Sequence, residues 1–178
     1  MSSFSLVSSD SSDAEIQFQK VKTVYNVVNN SNGRLGGGAS GGPIYGQLNE
    51  SSMDKVIDVM MNVCNLNSLS MVLDVGAGLG LPTFHIAQRV HLCLSMGVES
   101  EAIRYRMSIH SLKLLCTGPH RSVVNTDGVS FIHANILNAE SYEPFNIIYM
   151  FDVGMPPSIY EHGSVCFNAR YACKNYIF

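Results

Sequence analysis

Residues 74–80 read Asp-Val-Gly-Ala-Gly-Leu-Gly, directly after the apolar run Met71-Val72-Leu73. An acid followed by alternating glycines, placed at the end of an apolar run, fits a buried strand that turns sharply into a helix. Glycine accepts positive φ and lets another group approach the backbone closely. A turn of this kind constrains the fold strongly, because it belongs to sheets in which parallel strands alternate with helices.

The rest of the chain follows that alternation. Residues 1–13 are rich in Ser and read as unstructured. Phe18, Val21, Tyr25 and Val28 fall at helical spacing, with a Val-rich strand in part of 14–28 as the alternative. Asn29 to Gly33 ends that element, and residues 33–46 hold seven glycines and Pro43, the composition of a loop. Ser51 or Ser52 is placed to cap a helix whose Met53, Val56, Ile57, Met60 and Cys64 share one face. Residues 71–75 form the first strand, near-continuously apolar as strands buried on both faces are. Pro82 sits at a helix start, and that helix runs to about Val90. Leu94–Val98 is the second strand. Ser100 is placed to cap a helix with Ile103, Met107, His110 and Leu114 on one face, His110 reading as a residue at the edge of the core. A turn-rich stretch covers 118–128, Val129–His133 is a third strand and 146–151 a fourth. Residues 159–172 read as a helix, and Cys173–Phe178 as the opening of a fifth strand.

The expected fold is therefore α/β, a Rossmann-like, doubly wound and mostly parallel sheet. Ligands in such sheets bind beyond the carboxyl ends of the strands. Asp74, Glu99, Asn135 and Asp152 are each expected just past a strand end, converging on one edge.

The bulk properties narrow the partners. At 178 residues and 46% hydrophobic content the chain supports a real core. A net charge of -3 gives no electrostatic footprint for nucleic acid. The five cysteines include no Cys-x-x-Cys pair, and the six histidines show no metal-ligand spacing, so no metal is expected. No apolar run is long enough to span a membrane.

The glycine spacing bears on the ligand. A dinucleotide fingerprint needs Gly-x-Gly-x-x-Gly. Here the third glycine comes one residue early: Gly76, Gly78, Gly80, then Leu81. The pattern Asp-x-Gly-x-Gly-x-Gly resembles the first motif of the class I S-adenosylmethionine-dependent methyltransferases. Glu99 follows Asp74 by one strand–helix–strand unit, and a carboxylate at that tip can accept both hydroxyls of a ribose.

A narrower resemblance runs from about Pro43 to His162. Ile44-Tyr45-Gly46-Gln47, then 73–80, then Met96-Gly97-Val98-Glu99, then 131–136 resemble in order the catalytic domain of the non-SET histone lysine methyltransferases of the disruptor-of-telomeric-silencing type. Met150 to Pro157 (Met-Phe-Asp-Val-Gly-Met-Pro-Pro) is similar to the protozoan branch of that family. The resemblance implies a histone-lysine N-methyltransferase acting on a core histone in the nucleosome, with S-adenosylmethionine as cofactor and a nuclear location. It implies that Tyr45 covers the methionine end of the cofactor, that Asp74, Gly76, Gly78 and Gly80 form its floor, that Glu99 holds the ribose, and that Asn135 and Ile136 flank the adenine. Asp152 is implied at the mouth where the acceptor arrives, with Tyr45 as the other catalytic candidate. Phe151 and Met155 are candidate walls of an acceptor channel.

On this reading residues 1–42 are an N-terminal helical and Gly-rich segment, and 43–178 a catalytic domain. The 27 residues after Phe151 leave no room for the antiparallel strands that close the family's sheet, so the domain is expected to be C-terminally incomplete. The alternatives are a methyltransferase of the same fold with another acceptor, or an inactive remnant.

Overall fold

The computed structural model describes residues 9–32, 46, 48–168 and 175–177. Five strands, β1 (Met71–Val75), β2 (Leu94–Glu99), β3 (Val129–His133), β4 (Ile147–Met150) and β5 (Asn175–Ile177), form one sheet in the order β3-β2-β1-β4-β5. Every neighbouring pair is parallel, with Leu73 facing Met96 on one side and Ile148 on the other. The helices are α1 (Ser9–Asn32), α2 (Glu50–Val63), α3 (Leu81–Arg89), α4 (Ala102–Thr117) and α5 (Pro157–Asn168). The strand order reverses at β1. The chain builds outward through β2 and β3 on one side and through β4 and β5 on the other.

Both faces of the sheet are covered, which explains the apolar strands. Val72, Ile147 and Tyr149 pack against Met53, Ile57 and Met60 of α2 and Ile86 of α3. Leu73, Val75, Ile148 and Met150 point the other way, toward Ile159, Tyr160 and Cys166 of α5. The stripe expected on α2 is the one it buries, with Val56 at its partly buried margin. Its cap is Asn49, not Ser51 or Ser52: the Asn49 Oδ1 accepts from the Ser52 N–H at 2.8 Å, so the serine is the recipient of the cap.

Helix α3 is the most enclosed of the helices. Leu81 and every residue from Thr83 to Gln88 are buried, because α1 and α2 cover the side that does not face the sheet. Its polar residues therefore need internal partners. Gln88 exchanges two hydrogen bonds with the backbone of Asn125, at 2.7 and 2.8 Å, and so anchors the 118–128 turns. His85, 0% exposed, lies between the Tyr25 hydroxyl at Nδ1 (3.2 Å) and Asp54 Oδ1 at Nε2 (3.1 Å). Arg89 extends the chain by pairing with Asp54 and, at 2.7 Å, with Asp58. One polar network thus ties α1, α2 and α3 together.

Helix α4 corrects the expected stripe. Ile103 is 64% exposed and His110 is exposed, whereas Ser108, Ser111 and Leu115 are buried. Two small serines on the inner face allow α1 to come close: Ser111 Oγ is 3.4 Å from Ser31 Oγ, and Ser108 Oγ donates to the Tyr105 carbonyl. Ser108 is satisfied within its own helix and Ser111 against α1, and of the expected stripe Met107 still packs against the core, so hydrophobic periodicity located only part of the buried face. The expected Ser100 cap is likewise absent; Glu101 is the cap residue and makes no side-chain capping bond. Helix α1 begins at Ser9, inside the stretch read as unstructured, and extends three residues past Asn29, to Asn32; Val21 is buried, and Val24 and Val28 pack beside Phe84, Leu115 and Phe131. No described helix is long and apolar enough to cross a membrane.

Burial lowers the His85 pKa, and Arg89 adds to this, while Asp54 opposes it. The fold therefore favours the neutral imidazole. The unfolded chain takes up a proton as pH falls through about 6.5, and stability from this site is lost in that direction. The difference in unfolding free energy between the wild type and His85→Gln is expected to widen as pH rises from about 5 to about 7.5. Urea titrations of both proteins across that range check it.

Candidate functional site

A cavity of about 230 Å³ opens at the carboxyl ends of the strands, where the strand order reverses. Val75 and Gly76 contribute from the end of β1, Val98 and Glu99 from β2, Ala134 to Ile136 from the segment after β3, and Phe151 from the end of β4. Val153 to Pro156 and Ile159 close one side, and Ser100, Glu101 and Arg104 the other. This is where open parallel sheets take ligands.

The glycine turn is held against β2. Gly76 and Ala77 both donate to the Val98 carbonyl, at 2.9 and 3.0 Å. The Gly78 N–H then donates to Glu99 Oε2 at 2.8 Å, and the Glu101 N–H to Glu99 Oε1 at 2.8 Å. Two backbone donors thus fix a carboxylate that is only 4% exposed yet lines the cavity. Each oxygen keeps a further lone pair for a ligand hydroxyl. Two of the glycines do different work. Gly76, at φ +76°, borders the cavity, and a Cβ there would lie 2.5 Å from the Met155 Cε. Gly80, at φ +86°, faces away from it, and its Cβ would strike the Phe131 ring at 2.5 Å. Gly80 lets the start of α3 pack on β3 and is not part of the cavity wall; nor is Gly78, whose backbone instead serves Glu99.

Asp74 is placed differently from expectation. It lies within β1, one residue short of its end, 2% exposed and off the cavity wall. Its Oδ2 accepts from the Thr83 hydroxyl at 2.6 Å, bracketing the glycine turn between β1 and the first turn of α3. Burial raises its pKa to about 7; the bonds from Thr83 oppose this and the Glu99 charge adds to it.

Asn135 and Ile136 do line the cavity. The Asn135 Oδ1 accepts from the Leu137 N–H at 3.0 Å and caps the short turn Ile136–Asn138. Ile136 is buried in the cluster of Val98 and Met150. Asp152 does not line the cavity. Its carbonyl accepts from the Met155 N–H at 3.0 Å and from the Tyr160 hydroxyl at 3.3 Å, which makes it a turn residue of the wall. Tyr45, with Ile44 and Gln47, lies outside the described residues; its neighbour Gly46 borders the cavity, facing the Phe151 ring. Phe151 and Met155, named from sequence as channel walls, both line the cavity. Sequence reasoning missed Glu101, Arg104 and Ile159. The first two had a signal in following the Glu99 strand tip closely, Glu101 as the cap of α4 and Arg104 in its first turn. Ile159 had none beyond lying in the expected last helix. Among the described residues no group of three or more His, Cys, Asp or Glu is placed to hold a metal ion.

No family model matches the sequence, and no curated protein matches it. Solved structures do match the fold. An S-adenosylmethionine-dependent methyltransferase from Geobacter sulfurreducens, in complex with S-adenosyl-L-homocysteine, aligns with a TM-score of 0.52 at 13% identity, over 85% of this chain and 52% of that one. YjhP from E. coli aligns at 0.51 and 12%, over 80% and 51%. The magnesium protoporphyrin IX methyltransferase from Synechocystis, with bound S-adenosylhomocysteine, aligns at 0.50 and 14%, over 86% and 67%. The fold is that of the class I methyltransferases. The chain spans about half the length of the first two of these structures. Within the class I methyltransferase fold, the cavity lies at the switch point of the sheet, with the glycine turn on its β1 side and Glu99 on its β2 side.

The protonated form of Asp74 is the one the fold favours, so its contribution is fully present below the unfolded value of 3.8 and is lost as pH rises through about 7. Asp74→Asn keeps the shape without a buried charge. Its stability relative to wild type is expected to increase by about 1–3 kcal/mol between about pH 5 and about pH 8. Thermal and urea unfolding at both pH values check the sign.

Proposed function

We propose that this chain is an S-adenosylmethionine-dependent methyltransferase whose acceptor is a lysine of a core histone. The observation that carries the cofactor reading is Glu99: a buried carboxylate, fixed by the Gly78 and Glu101 amides, with free lone pairs on a cavity that the Gly76 turn also borders. A ribose diol suits it, and Ile136 offers an apolar face for an adenine with Asn135 beside it. Structures of the same fold were solved with S-adenosylhomocysteine bound.

When bound, S-adenosylmethionine supplies a methyl group on a sulfonium, an activated leaving group. The protein then has to hold the acceptor in line and keep its amine uncharged. Phe151 and Ile159 give the cavity an apolar side, where desolvation favours the neutral amine. Tyr45 would cover the methionine end, consistent with Gly46 at the rim. The histone acceptor, and with it the nucleosome as partner and the nuclear location, rests on the ordered resemblance from Ile44 to Ile136.

A second reading is a methyltransferase with a small-molecule or other protein acceptor. The net charge of -3, which offers no attraction to nucleosomal DNA, favours it. So does the protoporphyrin acceptor named for one structure of this fold.

Calorimetric titration with S-adenosylmethionine tests the cofactor reading. Wild-type chain is expected to bind, and Glu99→Ala to bind more weakly by about 1–3 kcal/mol, as for a lost charge-assisted hydrogen bond; equal affinity would sink the assignment. Methyl transfer assayed on nucleosomes, free histones and small amines separates the acceptors. Incorporation into a histone lysine supports the first reading, and transfer to small amines alone rejects it.

A further inference from the structure

We propose that the segment from Phe151 to Pro156 is a strap that Met155 holds closed on the Gly76 turn, and that this side chain must withdraw before a cofactor can seat. The inference rests on the cofactor reading above and concerns how that site is gated.

Three observations meet here. The Met155 Cε occupies the space directly over Gly76, 2.5 Å from where a Cβ would project, and both residues line the cavity. That turn is the side of the cavity left for the rest of a cofactor whose ribose is held at Glu99. The cavity is also small. Its 230 Å³ falls below the roughly 300–1,000 Å³ usual for sites that enclose small molecules. Moving one long side chain off Gly76 would enlarge it on the side of the glycine turn.

The strap is anchored at both ends, and its one long side chain is free to rotate. Gly154 takes φ +84°, a left-handed turn that glycine adopts without strain. The Met155 N–H and the Tyr160 hydroxyl both bond the Asp152 carbonyl, which pins the near end to α5, and Pro157 opens α5 at the far end. Met155 itself rests on the apolar cluster that includes Val75, Val98 and Ile136. Methionine is unbranched and flexible, so it can leave Gly76 by rotating its own side chain while the backbone turn stays formed.

A strap and a fixed wall make opposite predictions for the same substitution. If Met155 were a wall contacting the cofactor, Met155→Ala would weaken binding. If it occupies the seat, shortening it raises the open fraction and tightens apparent affinity by the same factor. The test is calorimetric titration of the full chain with S-adenosylhomocysteine for wild type, Met155→Ala and Met155→Phe, together with hydrogen exchange of residues 151–156 without ligand. The expected result is binding roughly 3–10-fold tighter for Met155→Ala, weaker binding for Met155→Phe, and faster exchange of the strap in ligand-free Met155→Ala. Wild-type binding with equal or weaker affinity in Met155→Ala overturns the strap and leaves the cofactor reading standing. Absence of binding by all three proteins overturns the cofactor reading and the strap with it.

Discussion

The hydrogen bond from the Gly78 amide to the Glu99 carboxylate joins the turn after β1 to the tip of β2, and the site depends on it. A carboxylate that is nearly out of water has to be paired or it does not stay charged. Here the partners are main-chain donors at Gly78 and Glu101. The consequence is mutual. Glu99 orders the glycine turn, and the turn orients Glu99 toward the cavity with lone pairs to spare. The bonds from Gly76 and Ala77 to the Val98 carbonyl fix the same register from the other side.

Behind the turn, the architecture is concerned with burying α3. A helix covered by the sheet on one side and by α1 and α2 on the other has to carry its polar residues inside, and each of Thr83, His85 and Gln88 has a partner on a different element. Thr83 reaches Asp74 of β1, His85 reaches α1 and α2, and Gln88 reaches the turns before β3. The start of α3 is thereby fixed relative to the sheet, and with it the geometry of the glycine turn. Asp74 belongs to this support and not to the cavity, although it opens the motif.

The strands and the glycine turn were legible because buried parallel strands are apolar throughout and because positive φ at Gly76 and Gly80 demands glycine. Glu99 was legible from its distance to Asp74, and Asn135 and Ile136 from following the third strand. What was not legible depended on packing between elements distant in sequence. The inner face of α4 carries serines because α1 lies against it, and no pattern within 102–117 reveals that neighbour. Asp74 was expected past the strand end and lies inside β1, because the partner that keeps it inside, Thr83, lies across the turn. Asp152 was read as a side chain at the mouth, whereas the wall uses its carbonyl.

The cavity bordered by Gly76 and Glu99 is the proposed seat of an adenosyl cofactor. Backbone amide chemical shifts recorded while S-adenosylhomocysteine is added test it most directly, because the amides that organise the site are themselves the reporters. The largest shifts are expected on Gly76, Gly78, Glu101 and Ile136, with α2 unaffected. Saturable shifts confined to other surfaces, or none at these four amides, would contradict it.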